Sequence, residues 1–242
     1  MRGLLCWVVI VAITSGLGCQ RGGGQATPAQ LEERASHVAS YRAQVTSHFK
    51  VAGREMSLTG KIQAQPPDHL RVEMYSPDGA LMRVMVRRGD LLLQQDPAQK
   101  RFTKVDLARV AEATGKEPPI AQGTDLSHPF AGLDPAATTY VEEVELDGAK
   151  ADLFEGPLTD AKALAPRLGF SPDKARVWVD DRTGLLRRTE ILSQDGKNGL
   201  TQEFTAIEVD PTLKPEVFDL QPPAGVEVTD LTEAMIRAMS GK

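Results

Sequence analysis

Proton transfer and metal binding in proteins most often use histidine, and this chain has four: His37, His48, His69 and His128. No two stand at a metal spacing such as the pair four apart that sets two imidazoles on one helix face. Ser171 lies in Gly169-Phe170-Ser171-Pro172, which is not a nucleophile elbow. Asp180 and Asp181 are adjacent acids that could hold a cation, but a plain turn explains them more simply. Gly22-Gly23-Gly24 precedes no strand-to-helix phosphate cradle. An enzyme is therefore not expected, nor any catalytic residue, metal or cofactor other than a covalent lipid.

That lipid is expected on Cys19. The chain opens on Met1-Arg2-Gly3, a short positive start, followed by an apolar run from Leu4 to Ile13 and the small residues Thr14-Ser15-Gly16-Leu17-Gly18. This order is that of an export signal. The apolar run falls well short of the ~20 residues that cross a bilayer. Gly18-Cys19 resembles the lipobox of bacterial lipoproteins, with Gly16 standing where the pattern has an aliphatic residue. The other cysteine, Cys6, lies within the segment to be removed, so Cys19 would have no intrachain disulfide partner. A thioether to diacylglycerol, whose acyl chains are of the palmitate kind, would leave no reactive thiol in an oxidising compartment. Residues 1–18 are thus expected to be a signal peptide and residues 19–26 a lipidated cysteine with a flexible tether, spanning roughly 15 Å as a random coil. Residues 27–242 are expected to form a single domain.

Removing residues 1–18 takes away one arginine and no acid, so the remaining charge is 27 − 33 = −6. An acidic balance excludes non-specific nucleic-acid binding, which needs a basic surface.

The elements that would position any site begin with a helix. Thr27 can cap it, Pro28 suits its first position and Gln30 completes a capping box. Leu31, Ala35, Val38 and Ala39 would form its apolar face. The period then changes to two. Met56, Leu58, Ile62 and Ala64 alternate with polar residues, as do Leu70, Val72 and Met74, and then Met82, Val84 and Val86. Pro66-Pro67-Asp68, Pro77-Asp78-Gly79 and Gly89-Asp90 turn the chain between these strands, and Leu91–Gln94 follows. Asp106 can cap a short inserted helix bearing Leu107, Val110 and Ala111, with Gly115 at its end. Residues 116–137 read as loop. Strands resume at Tyr140–Leu146, Ala151–Gly156, Ala175–Val179, Leu185–Leu192 and Leu200–Val209, and residues 157–173 look inserted. A second capping box at Asp230-Leu231-Thr232-Glu233 would start a last helix with Leu231, Met235 and Met239. The sum is a mainly β chain with flanking helices, nine or ten antiparallel strands whose sheet should curl, and one sheet face meeting the helices.

Four stretches resemble the outer-membrane lipoprotein carriers and receptors of the LolA/LolB-like superfamily. Residues 60–74 are similar to that family's glycine-led strand, proline-bearing turn and following strand. Residues 86–97 are similar to its paired strands around a Gly-Asp turn. Residues 177–188 and Val217-Phe218-Asp219-Leu220-Gln221-Pro222-Pro223-Ala224-Gly225-Val226 are similar to its later strand-turn-strand and closing phrase. The likeness extends over roughly residues 28–228. It implies an incomplete β-barrel with a helical lid, whose apolar hollow takes acyl chains of lipids or lipoproteins. Family members shuttle, receive or insert lipoproteins at the outer membrane, or sense envelope stress through a protein partner. The candidate cavity residues are then Met56, Leu58, Ile62, Leu70, Val72, Met74, Met82, Val84 and Val86, and the candidate lid residues Leu107, Val110 and Ala111. Gln65 stands where the carriers have an arginine linked to lid closure, and Asp78 where the receptors expose a leucine, so neither device carries over. A monomer anchored to the periplasmic leaflet of the outer membrane is expected; Gln20 after the cysteine lacks the aspartate that marks inner-membrane retention in enterobacteria.

Overall fold

In the computed structural model, residues 25–116, 125–159 and 161–240 are described. Cys19, the signal segment and most of the tether lie outside them. Helix α1 (Pro28–Ser36) opens the fold with the expected capping box: Thr27 accepts from the Gln30 amide, and the Gln30 side chain accepts from the Thr27 amide. Leu31 and Ala35 are its buried residues; Val38 is buried just beyond the helix end, and Ala39 is exposed. Ala26, the last residue of the expected tether, is already buried.

Twelve strands follow in one sheet. They are β1 (Tyr41–Val51), β2 (Arg54–Gln65), β3 (His69–Tyr75), β4 (Leu81–Arg88), β5 (Leu91–Asp96) and β6 (Arg101–Asp106), then β7 (Thr139–Leu146), β8 (Ala149–Pro157), β9 (Pro172–Asp180), β10 (Leu186–Ser193), β11 (Gly199–Val209) and β12 (Val228–Asp230). The order is β12-β6-β5-β4-β3-β2-β1-β11-β10-β9-β8-β7. The sheet is curled and unclosed, with β12 and β7 as its two edges. Strands β1, β6 and β12 were not foreseen, and β12 runs parallel to β6, where only antiparallel pairs were expected.

Curling follows from what shares a core. Leu70 on β3 and Phe154 on β8 belong to one contiguous cluster, although six strand spacings would put them about 29 Å apart in a flat sheet. The hollow between them holds Leu31 and Ala35 of α1 and Leu126 and Leu133 of the segment before β7. At Gly184, in the β9–β10 turn, φ is +71° and an added Cβ would stand 2.0 Å from the Leu31 carbonyl oxygen. Only glycine lets this turn lie directly against the α1 backbone.

Helix α2 (Leu107–Thr114) is capped by the Asp106 side chain, which accepts from the Arg109 amide, and ends at Gly115 in the left-handed conformation, as foreseen. Helix α3 (Ala161–Leu168) occupies the 157–173 insertion. Helix α4 runs Thr232–Met239 and lacks the expected side-chain cap: Asp230 belongs to β12, and Leu231 stands at the cap position. Asp230 instead accepts from the Thr232 amide, whose hydroxyl accepts from the Asp106 amide, so α4 is fastened to the start of α2. No helix among the described residues is long and apolar enough to cross a membrane.

Candidate functional site

The two faces of the sheet are covered differently, and strand register decides which residues meet on which face. Ile62 lies opposite Val72, and Val72 opposite Met85. Directly opposed residues share a face, so Met85 joins Ile62, Leu70, Val72 and Met74 on the concave side. Val84 opposes Glu73 and Val86 opposes Arg71, which places both valines on the convex side. There they pack with Leu93 and Phe102 and with Leu213, Phe218 and Leu220 of residues 211–226, a C-terminal strap laid over this face. The expectation of one surface bearing all nine candidates is thus corrected. Met82 is the extra residue of a bulge between the pairs Met74–Arg83 and Tyr75–Leu81, and is 42% exposed.

On the concave side the coverage is uneven. Ile62, Leu70 and Val72 are at most 6% exposed, beneath α1 and the 125–133 segment. Farther along, Leu92 opposes Arg87 on one side and Val105 on the other. Leu92 and Val105 pack with Leu107 and Val110 of α2 and with Met235, Ile236 and Met239 of α4. Leu107 and Val110 are buried and Ala111 half-buried, so the helix expected as a lid covers β5 and β6 together with α4, which supplies more of its apolar contact than foreseen. Between these two covered zones lie Leu58, Met74 and Met85, all half-buried, with Met56 at the rim, 51% exposed. Gly60 makes the floor there: an added Cβ would come within 2.8 Å of both the Met74 sulfur and Val45 Cγ1, so its hydrogen lets the Met74 side chain lie across β2. Arg83 and Arg87 flank Met85 on the same face, opposite Met74 and Leu70.

A buried polar network holds the 125–128 segment over β1. The Tyr41 hydroxyl donates to Asp125 Oδ1 at 2.9 Å and accepts from the Leu126 amide at 2.9 Å. Ser127 donates to Asp125 through its amide at 3.0 Å and its hydroxyl at 2.6 Å, and His128 Nδ1 stands 3.0 Å from Asp125 Oδ2. Burial alone would raise the Asp125 carboxyl, but hydrogen bonds from His128 and Ser127 outweigh it and hold the pKa at about 2. Burial, then the neighbouring Asp125 charge, pushes Tyr41 well above its usual range. Gln65, at the place of the carriers' arginine, ends β2 opposite His69. No local pattern announces the Tyr41–Asp125 pair, whose members are 84 residues apart.

The residues weighed for chemistry are separated. His37 ends α1, His48 bonds Ser57 at 2.7 Å, and the His69 ring lies 5.1 Å from that of Phe218. Asp180 is a turn residue: it accepts from the Arg182 and Thr183 amides and from Arg187 Nε at 2.7 Å. Among the described residues no group of three or more His, Cys, Asp or Glu could hold a metal ion.

No family model matches the sequence, and no curated protein matches it significantly. Solved structures do share its fold. An uncharacterized conserved protein from Thermus thermophilus is similar over 84% of this chain and 98% of that one, with 12% identity and a TM-score of 0.55. Weaker likenesses include the Mycobacterium tuberculosis lipoprotein LppX, over 79% and 96% at 12% identity and a TM-score of 0.47. Another is a LolA superfamily protein from Nitrosomonas europaea, over 81% and 99% at 10% identity and 0.40. The likeness to the Thermus thermophilus protein is one of fold: an open, curled sheet with helical elements, in line with the incomplete barrel that was expected.

Proposed function

We propose that this protein is a membrane-anchored, periplasm-facing lipoprotein that binds acyl chains of lipids or lipoproteins on its concave face and assists their transfer or insertion at the outer membrane. One observation carries the reading: between α1 and the α2–α4 pair, the concave face presents Leu58, Met74 and Met85 half-buried, with Met56 exposed at the rim and Arg83 and Arg87 flanking Met85. An acyl chain needs such an apolar trough with movable walls. Methionine side chains are unbranched and polarisable and adapt to chains of different length and kink. Burying a 16-carbon chain is worth roughly 12 kcal/mol at about 0.8 kcal/mol per methylene, before ordering costs. A trough touching one side of the chain realises about half of that, enough for exchangeable binding without a covalent step.

The Cys19 anchor shapes the role. A single acyl chain holds a protein to a membrane only marginally, and stable attachment needs at least two signals; a bacterial lipoprotein cysteine carries two or three chains. A tethered acceptor or inserter, roughly 15 Å from its membrane by the length of its linker, suits this better than a free shuttle. The test has two arms. Uptake of a fluorescent fatty acid by the purified chain should saturate at one site, and Cys19→Ser should move the protein from the membrane fraction to the soluble periplasm. No saturable uptake would remove the binding function; retention of Cys19→Ser in the membrane would remove the anchor.

A further inference from the structure

One row of the concave face is polar. Ser47 on β1 opposes Gln202 on β11, and Gln202 opposes Thr189 on β10. Their exposures are 1%, 8% and 6%, so all three are more than nine-tenths buried. Apolar rows enclose them on both sides: Val45 and Phe204 on one, Phe49, Leu200 and Ile191 on the other. The row opens at Leu58, half-buried opposite Ser47, next to the exposed Met56 at the rim of the trough. Hydroxyl and amide groups set among aliphatic side chains are unfavourable unless they find partners. Here the partners are few. Gln202 Nε2 donates to Ser47 Oγ at 3.2 Å, and the Thr189 hydroxyl, without a hydrogen bond to the described residues, is not sealed from solvent. The second amide proton of Gln202 and the hydroxyl protons of Ser47 and Thr189 remain to be given.

We infer that this row receives the ester carbonyl of an esterified lipid, and that the protein selects acyl esters over hydrocarbon chains without one. The inference rests on the acyl-binding reading and deepens it. The chemistry of the row is donor-rich and uncharged: from Leu58 through Ser47, Gln202 and Thr189 to Val177, no charged side chain stands in it. A neutral carbonyl oxygen matches such donors. The carboxylate of a free fatty acid does not, because a charge buried without a counter-ion is far costlier than a neutral acceptor. The apolar rows on either side place hydrocarbon where a glycerolipid has its chain, on the far side of the ester from the glycerol. Ester bonds thus lie at a fixed depth, and chain length is left to the adaptable methionines.

The experiment is competition. A fluorescent fatty acid bound to the full chain is displaced by a diacyl phosphatidylcholine and, separately, by its dialkyl ether analogue of the same chain length. One or two hydrogen bonds of ordinary net strength correspond to a five- to thirtyfold preference, so the ester lipid is expected to displace the probe at roughly five- to thirtyfold lower concentration. In a Ser47→Ala, Gln202→Leu double variant with an unchanged unfolding temperature, the two lipids should displace it at equal concentrations. Equal displacement by ester and ether lipids from the unaltered protein overturns the inference while leaving acyl binding intact, and needs no variant. Persistence of the preference in the folded double variant also overturns it. Failure of both lipids to displace a bound probe overturns the inference, whereas absence of saturable probe uptake removes the acyl-binding reading and this inference with it.

Discussion

Val86 and Met85 are neighbours in sequence on opposite faces of β4, and shortening each to alanine should separate stability from binding. Val86 is fully buried on the convex side among Leu93, Phe102 and Phe218. Val86→Ala removes two methyl-sized groups from a packed cluster and leaves a cavity, at a cost of about 2 kcal/mol. For a chain of this size that lowers the unfolding temperature by about 4–8 °C. It touches nothing on the concave face, so the affinity for a fluorescent fatty acid should stay within about twofold, a difference of roughly 0.4 kcal/mol. Met85 is half-buried on the floor of the trough. Met85→Ala withdraws on the order of 60 Å² of apolar surface from a bound chain, about 1.5 kcal/mol or roughly tenfold in affinity. Its effect on stability should be the smaller of the two, because much of the side chain is already in water. The assay is fluorescence titration paired with thermal unfolding on the same samples, read below the melting range of both variants. If Val86→Ala weakens binding as much as Met85→Ala does, the trough is not on the concave face and the argument from register fails.

Three further outcomes follow from the same packing. Gly184→Ala would set a methyl group 2.0 Å from the Leu31 carbonyl oxygen and keep a positive φ; the left-handed conformation alone costs about 1–2 kcal/mol, and the clash must lift the turn from α1. Denaturant unfolding should show a loss above that range, and a midpoint equal to the parent's would contradict the contact. Asp125, held at about 2 against an ordinary 3.8, has a depressed folded pKa, so its stabilisation is present above pH 4 and lost as pH falls from about 4 to about 2. That amounts to about 2 kcal/mol, and Asp125→Asn should remove it at pH 7 and flatten the acid limb of a stability–pH curve; an unchanged limb would refute the linkage. Phe218, 1% exposed against His69 and the β4–β6 cluster, should cost about 3–5 kcal/mol when replaced by alanine; a small change in equilibrium unfolding would show that the C-terminal strap is not part of the core.

Much of the fold was legible because local chemistry and global packing agree. The Thr27-Pro28-Gln30 cap and the Asp106–Gly115 helix signals depend only on neighbours a turn away, and both helices stand where those signals put them. Strand β1 was missed for a physical reason. Its inward positions are Tyr41, Ala43, Val45, Ser47 and Phe49, and a small and a polar residue among them blur the alternation that marks a half-buried strand. Strand β6 was hidden because both of its faces are covered: Phe102 packs on the convex side and Val105 on the concave side, so its buried residues do not alternate. The same two-sided burial hid the faces of β4. Met82, Val84 and Val86 form a clean alternating set, and so do Leu81, Arg83 and Met85 in geometry. Which set faces the hollow is decided by pairing with β3 and by a strap some 130 residues downstream, and a one-residue difference in register exchanges the faces. The polar row of Ser47, Thr189 and Gln202 was illegible for a similar reason, since its members come from three strands that meet only in the folded sheet.

If the concave face carries acyl chains, a lipid should leave the membrane with the protein. Native mass spectrometry of the full chain, purified from membranes in the mildest detergent that releases it, tests this most directly. A population heavier than the protein species itself by the mass of one non-covalent acyl lipid should appear, released on collisional activation and reduced in Met85→Ala. A single unliganded species, unchanged after incubation with diacyl lipid, would contradict it.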